Sequence, residues 1–89
     1  MPILIIDHEV EDFARWKPKF DAHRRSRERA GLQDLHVLRD AQQPNQVTII
    51  CRADDLQRAK EFGESADLRE AMKGAGVVGA PLVRFLNEA

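Results

Sequence analysis

The alternation of hydrophobic and polar positions along this chain predicts four extended segments. Residues 2–7 form a short run rich in β-branched side chains, which is typical of a strand buried on both faces. Residues 35–40 and 46–53 are two further strand-like runs, with Pro44 and Asn45 between them at positions that suit a tight turn. We therefore expect these two runs to form an antiparallel hairpin.

A long helix is predicted between the first two strands. It begins at Glu11 or Asp12 and runs to Ala30, and Gly31 is its expected C-terminal stop. Pro18 lies inside this helix, where it removes one backbone donor and clashes with the preceding turn. We expect the helix to bend near Ala14 to Lys17.

One face of this helix carries an unusual set of side chains. Phe13, Trp16, Phe20 and His23 follow one another at steps of three, four and three residues, which places all four on the same face. An aromatic stripe of this kind favours a place in the core, and the alternative is the wall of a pocket. Trp16 is the best pocket candidate, because its indole N–H needs a hydrogen-bond partner.

A second helical region follows the hairpin. Asp54 and Gln57 have the spacing of an N-cap and its capping-box partner, Gly63 interrupts the helix, and Ser65 is suited to cap a second stretch. The inward-facing positions of the two stretches are apolar: Leu56, Ala59, Phe62, Leu68, Ala71, Met72 and Ala75.

The last part of the chain completes a known element order. Residues 76–81 are interpreted as a compact apolar loop and residues 82–86 as a final strand. The order strand, helix, strand, strand, helix, strand predicts an α+β, ferredoxin-like βαββαβ fold for residues 1–89, as one domain with a four-stranded antiparallel sheet and its helices on one face. Apolar side chains alternate onto both sides of this sheet, so we expect a second copy of the chain to cover the other face.

Composition and charge narrow the function classes. Fourteen basic and fifteen acidic residues are interleaved and give a net charge of -1, which is unlike a nucleic-acid-binding protein. The densest basic stretch, residues 24–29, is interpreted as a solvated helix end, with an anion contact as the alternative.

The lone Cys51 rules out an intramolecular disulfide and is expected to be a buried, inert thiol. No apolar run approaches the ~20 residues that span a bilayer, so we expect a cytoplasmic protein that does not bind membranes.

The histidines are the candidates for acid–base chemistry. His23 could act as a general base in an apolar neighbourhood, and the alternative is a structural, hydrogen-bonded histidine. His36 begins the second predicted strand and approaches His23 if it points toward the helices. His8 lies at the opposite end of the first strand, so we expect no metal site built from the three histidines.

The arginines of the predicted strands are assigned to the other face of the sheet. Arg52 and Arg84 alternate with apolar residues that face the helices, and Arg39 joins them if His36 points to the helices. Asp7 is their expected counter-charge, and ion pairing at the subunit interface is favoured over an anionic-ligand site. No glycine-rich phosphate loop opens a helix, so we expect no cofactor.

Five stretches of the sequence are distinctive: residues 10–23 (VEDFARWKPKFDAH), 44–47 (PNQV), 54–56 (DDL), 65–72 (SADLREAM) and 75–81 (AGVVGAP). Together they resemble a small bacterial group within the dimeric α+β barrel superfamily, which includes antibiotic-biosynthesis-monooxygenase-like proteins. This resemblance covers nearly the whole chain. It implies a homodimer whose two sheets form a barrel, with a pocket in each subunit between helices and sheet. The superfamily includes cofactor-free oxygenases, haem-degrading enzymes, cyclases, isomerases and non-enzymes, so no catalytic residue and no reaction are transferred to this chain.

Two functions are compatible with this sequence. The first is a pocket for a small, mostly apolar or aromatic molecule, with His23 as catalytic base and Trp16, Phe20, Phe13 and His36 as ligand-binding residues. Cofactor-free oxygenation, isomerisation or cyclisation would suit such a site. The second is a non-catalytic ligand-binding or assembly module.

Overall fold

The computed structural model describes residues 1–89 and has the predicted ferredoxin-like architecture. A four-stranded antiparallel sheet has the strand order β2-β3-β1-β4, so the first and third strands are central as predicted. The elements along the chain are β1 (Pro2–Val10), α1 (Phe13–Ala22), α2 (Arg24–Arg29), β2 (Leu32–Arg39), β3 (Gln46–Ala53), α3 (Leu56–Gly63), α4 (Ala66–Gly74) and β4 (Val77–Asn87). None of these helices has both the length and the apolar character needed to cross a membrane.

The core lies between the helices and one face of the sheet. Leu4 pairs with Cys51 and Ile6 with Ile49 across β1 and β3, and all four side chains are buried toward the helices. The alternate positions point to the other face, where the side chains are half-buried or exposed. The two-sided apolar pattern predicted from the sequence is therefore confirmed.

The prediction of one continuous helix from residue 12 to Ala30 is wrong. The helix is interrupted at His23, which separates α1 from α2, whereas α1 runs through Pro18. The interruption lets Arg27 of α2 turn inward, where only 4% of its surface is exposed. The predicted stop is confirmed at Gly31, whose φ of 78° is in the left-handed region that favours glycine.

The helix caps agree in part with the sequence prediction. Ser65 caps α4 as predicted, since its side chain accepts a hydrogen bond from the Leu68 N–H. The cap of α3 is Asp55 and not Asp54, because the Asp55 carboxylate accepts from the Gln57 N–H.

The edge strand β4 is longer than predicted, because the expected apolar loop is part of it. Between the pairs Asp7–Leu82 and Glu9–Val78, β4 contains two more residues than β1, which is a bulge. Gly79 lies in this bulge with a φ of 70°. A glycine supplies the left-handed conformation there without strain.

A similar irregularity in β2 changes which residues face the helices. Asp34 pairs with Cys51 and His36 with Ile50, so Leu35 is an extra residue without a partner in β3. A single extra residue reverses the faces of every later side chain in the strand. This bulge decides the positions of His36 and Arg39 described below.

Candidate functional site

A small cavity lies between α1, α4 and the helix-facing side of the sheet. Its volume is about 40 Å³, and twelve of its sixteen lining residues are hydrophobic. The four others are His8, Lys19, His23 and Arg27. The cavity therefore combines an apolar wall with a few polar groups, which is the usual composition of a small-molecule site.

The aromatic face of α1 forms part of the core and part of the cavity wall. Trp16 is 2% exposed and stacks on Phe20 with ring centroids 4.8 Å apart, and both residues line the cavity. The centroid of the Phe13 ring lies 5.6 Å from that of Trp16, but Phe13 does not line the cavity. Instead, the Arg39 guanidinium lies 4.0 Å from the centre of the Phe13 ring.

His23 lines the cavity at the junction of α1 and α2 and is paired with a carboxylate. Its Nε2 lies 3.1 Å from Oδ2 of Asp67, in the first turn of α4, and its side chain is 19% exposed. A neutral His23 donates its Nε2 proton to Asp67, which leaves Nδ1 as a proton acceptor. A carboxylate that orients an imidazole in this way is a common arrangement for a general base.

His8 also lines the cavity, a position that the sequence prediction missed. It is 3% exposed, and its ring lies edge-on to Trp16 with the centroids 5.6 Å apart. Burial lowers the pKa of His8 below its ordinary value, although its own backbone and the nearby Asp7 carboxylate oppose the shift. The buried Nδ1 of His8 has no hydrogen-bond partner.

The sequence contained a signal for His8. Leu4, Ile6 and Val10 alternate along β1 and are all buried, and His8 occupies the position between the last two. The predicted strand ends at Asp7, whereas β1 extends to Val10. The alternation of buried positions, continued past Asp7, places His8 on the inner face.

Arg27 forms a buried ion pair beneath the cavity, so the interpretation of the basic stretch as a solvated helix end is wrong for this residue. Its Nε and Nη2 donate to the two carboxylate oxygens of Asp34 at 2.9 Å each, and its Nη1 donates to the Phe20 carbonyl oxygen. Burial alone would raise the pKa of Asp34, but the hydrogen bonds and charge of Arg27 outweigh it and hold that pKa below the usual value. Burial and the Asp34 charge raise the pKa of the Cys51 thiol to about 12, in line with an inert thiol.

The bulge at Leu35 determines the orientation of two residues, which the sequence left open. His36 is exposed on the sheet face opposite the helices, so it does not approach His23. Arg39 lies on the helix side, where it contacts Phe13, and does not join Arg52 and Arg84 on the outer face.

The remaining charged groups are also fixed by the fold. Asp7 faces outward, where its carboxylate accepts hydrogen bonds from Gln46 and Thr48 and not from an arginine. Lys19 bridges α1 to α4, since its Nζ donates to the Gly74 carbonyl oxygen at 2.7 Å. No group of three or more histidine, cysteine, aspartate or glutamate side chains is arranged to hold a metal ion.

Comparison with known proteins supports the fold assignment. No protein-family model matches the sequence, and a search of curated proteins finds no match. Two solved structures, from Bordetella bronchiseptica and Caulobacter crescentus, are each named a putative antibiotic biosynthesis monooxygenase. The first has a TM-score of 0.80 and 20% identity, covering 99% of this chain and 96% of the other. The second has a TM-score of 0.74 and 14% identity, covering 99% and 89%.

A third similar structure, a conserved protein from Methanosarcina mazei, has a TM-score of 0.73 and 12% identity, covering 100% of this chain and 94% of that protein. These likenesses extend over the whole domain, and at such low identity they concern the fold alone. The chain therefore has the fold of the antibiotic-biosynthesis-monooxygenase-like proteins that its sequence resembles.

Proposed function

We propose that this protein binds a small, largely apolar or aromatic molecule in the cavity between α1, α4 and the sheet. The observation that carries this proposal is the cavity itself, an apolar space reached by the two imidazoles of His8 and His23. Trp16 and Phe20 supply flat aromatic surface on one side. Phe13 and His36 have no part in this pocket, because neither lines it.

The cavity must widen to accept such a ligand. Its volume of about 40 Å³ is far below the ~300 Å³ at which ligand pockets begin. Met72 of α4 is half-buried and lines the cavity. Because methionine is unbranched and flexible, rotation of this side chain is the simplest way to enlarge the space.

The reaction that suits this site is proton abstraction from the bound molecule by His23, with Asp67 holding the imidazole in position. Removing a proton in a desolvated pocket suits cofactor-free oxygenation, isomerisation or cyclisation, in which the substrate supplies its own reactive electrons. The similar structures named as monooxygenases favour oxygenation among these three by analogy of fold.

The alternative is a non-catalytic binding or assembly module, and the small cavity volume favours it. Oxygen consumption in the presence of a bound, activated phenolic compound separates the two functions. A catalytic pocket consumes oxygen, and a His23→Gln substitution slows that consumption at least about 100-fold. Binding without any consumption or conversion would favour the module.

Ligand binding itself is tested by filling the cavity. Ala71 lines it, whereas Ala66 is exposed on the same helix. We expect toluene, as an apolar probe, to bind the wild-type protein and to bind Ala71→Val at least about tenfold more weakly, because the added methyl groups occupy the space. Ala66→Val is the matched control and retains binding. Equal binding by both variants would place the probe elsewhere, and no binding to the wild type would contradict the pocket.

A homodimer is the second part of the proposal. The outer face of the sheet is covered by no helix, and it presents these apolar side chains: Ile3, Ile5, Leu38, Ile50, Val78, Leu82 and Leu86. An apolar surface of this extent favours a protein partner, and the self-complementary partner is a second sheet. Arg52 and Arg84 lie on the same face and are suited to ion pairs at its rim. We retain a cytoplasmic location as part of this proposal.

Sedimentation equilibrium tests the dimer. We expect a mass of twice 10.1 kDa for the wild-type protein. Leu82 is 58% exposed, so Leu82→Lys leaves the subunit folded while placing a charge in the proposed interface, and this variant sediments as a monomer. Gln57→Lys, on the exposed side of α3, is the control and stays dimeric. A wild-type monomer at micromolar concentration would contradict the dimer.

A further inference from the structure

His8 differs from the other polar groups of the cavity wall because its buried Nδ1 has no hydrogen-bond partner. Lys19 donates to a backbone carbonyl, His23 is paired with a carboxylate, and Arg27 uses three nitrogen atoms in hydrogen bonds. The Nδ1 of His8 is fully buried and has no partner. Buried polar atoms are nearly always paired in folded proteins, so this one calls for an explanation.

The surroundings of His8 define what could satisfy it. Its ring is held edge-on against Trp16 at 5.6 Å, and the β3 residue directly opposite, Val47, is apolar. The charged or titratable groups that share its cavity are the cations Lys19 and Arg27, together with His23 and Cys51 on neighbouring elements. No carboxylate lines the cavity, and Asp7, the next residue along β1, faces the other side of the sheet. There is consequently no anion in the cavity wall to hold a charged imidazole.

An imidazole in this environment is neutral at neutral pH, since burial lowers the pKa of His8. A neutral imidazole has one nitrogen that donates and one that accepts a hydrogen bond. A hydroxyl group can both donate and accept, so it can satisfy either nitrogen whichever one carries the proton.

We infer that His8 selects the ligand of this pocket: an uncharged, largely apolar molecule with a hydroxyl group that hydrogen-bonds the His8 imidazole while Trp16 packs against its hydrocarbon part. This inference rests on the proposed ligand-binding function and assigns His8 a role in specificity. It leaves proton transfer to His23, which already has its orienting carboxylate.

The test compares phenol with toluene, which have nearly the same shape and differ in the hydroxyl group. We expect calorimetric titration of the wild-type protein to show phenol binding about tenfold more tightly than toluene, equivalent to about 1.4 kcal/mol. In His8→Leu the preference disappears or reverses, because the hydroxyl group is then buried without a partner. His8→Asn restores part of the preference, since its amide can again hydrogen-bond.

The control is His36→Leu, which removes an imidazole from the exposed outer face and keeps the wild-type preference. The ¹⁵N chemical shifts of the His8 ring in the unmodified protein give an independent measurement, and they move with phenol but not with toluene. Equal affinities for the two probes, or an unchanged preference in His8→Leu, would overturn the role of His8 while leaving the pocket in place. Failure of the wild-type protein to bind either probe would overturn the proposed pocket and this inference together.

Discussion

Replacing His8 by leucine should make the protein more stable, which is the opposite of the usual effect of changing a buried residue. A buried polar atom without a partner costs about 1–3 kcal/mol, and leucine removes that cost while continuing the apolar series of Leu4 and Ile6 on β1. Loss of the edge contact with Trp16 offsets about 0.5–1.5 kcal/mol of the gain. We therefore expect a net increase of about 1 kcal/mol at neutral pH, or roughly 4–8 °C in Tm for a domain of this size.

The effect also depends on pH, with a definite sign. The folded-state pKa of His8 is lowered from its ordinary value of 6.5, so below that pH the unfolded chain binds a proton that the folded chain does not. The wild-type protein loses stability as pH falls through this range, whereas His8→Leu does not. The difference in stability between the two proteins therefore grows as the pH falls below 6.5. Asp34 affects stability in a separate pH range. Because its folded-state pKa is lowered from the ordinary value of 3.8, its ionised carboxylate stabilises the fold above that pH, and this stabilisation is lost only near and below pH 3.8.

Urea unfolding followed by the fluorescence of the lone, buried Trp16 measures both effects, at one fixed protein concentration because dimerisation would add to stability. Gln57→Leu, on the exposed side of α3 and away from the proposed interface, is the control and changes stability by less than about 0.5 kcal/mol. A His8→Leu variant that is less stable than the wild type at about pH 8, or an unchanged difference on acidification, would refute the reasoning. His8 would then be a satisfied structural residue.

Three further outcomes follow from contacts elsewhere in the fold. Gly63→Ala should lower stability by about 1–2 kcal/mol in urea unfolding, because a Cβ at this position would lie 3.0 Å from Cζ of Phe85 in β4. Gly74→Ala is the control and should be neutral or stabilising, because its Cβ would meet nothing within 4 Å. Native Cys51, with a thiol pKa of about 12, should react with dithionitrobenzoate only as fast as the protein unfolds; immediate labelling would contradict its burial. Arg27→Met should cost about 3 kcal/mol, because the largely buried Asp34 carboxylate then keeps only Arg24, at 3.8 Å, as a counter-charge. Arg25→Met, on the exposed side of α2, should cost under about 0.5 kcal/mol.

The periodicity of the sequence was sufficient to predict the order of elements, because each element buries one apolar face at its own repeat. The central strands, the Ser65 cap and the Gly31 stop all depend on local chemistry and were predicted correctly. The helix interruption at His23 is different, since Arg27 turns inward to reach Asp34, which belongs to another element. Such a long-range ion pair leaves no mark on local periodicity.

The candidate site was predicted only in part for a similar reason. Trp16, Phe20 and His23 were placed together by helical spacing, and they do line one cavity. The face on which His36 lies could not be predicted, because a bulge inserts one residue without changing the composition of a strand. The ligand-binding roles of Trp16 and Phe20 and the catalytic role of His23 stay predictions until binding and turnover are measured.

Two polar bridges join α1 to α4, one near each end of α4. Lys19 holds the C-terminal end of α4 at Gly74, and His23 holds its N-terminal end at Asp67. If one bridge breaks while the other holds, one end of α4 moves outward and the other end stays attached to α1. The Lys19 bridge ends on a backbone carbonyl oxygen, whereas the His23 bridge includes the proposed base. A substrate that enters on the Asp67 side would therefore separate the base, His23, from its carboxylate. Return of α4 behind the substrate would restore the pair. The arrangement for proton transfer would then exist only when the cavity is closed.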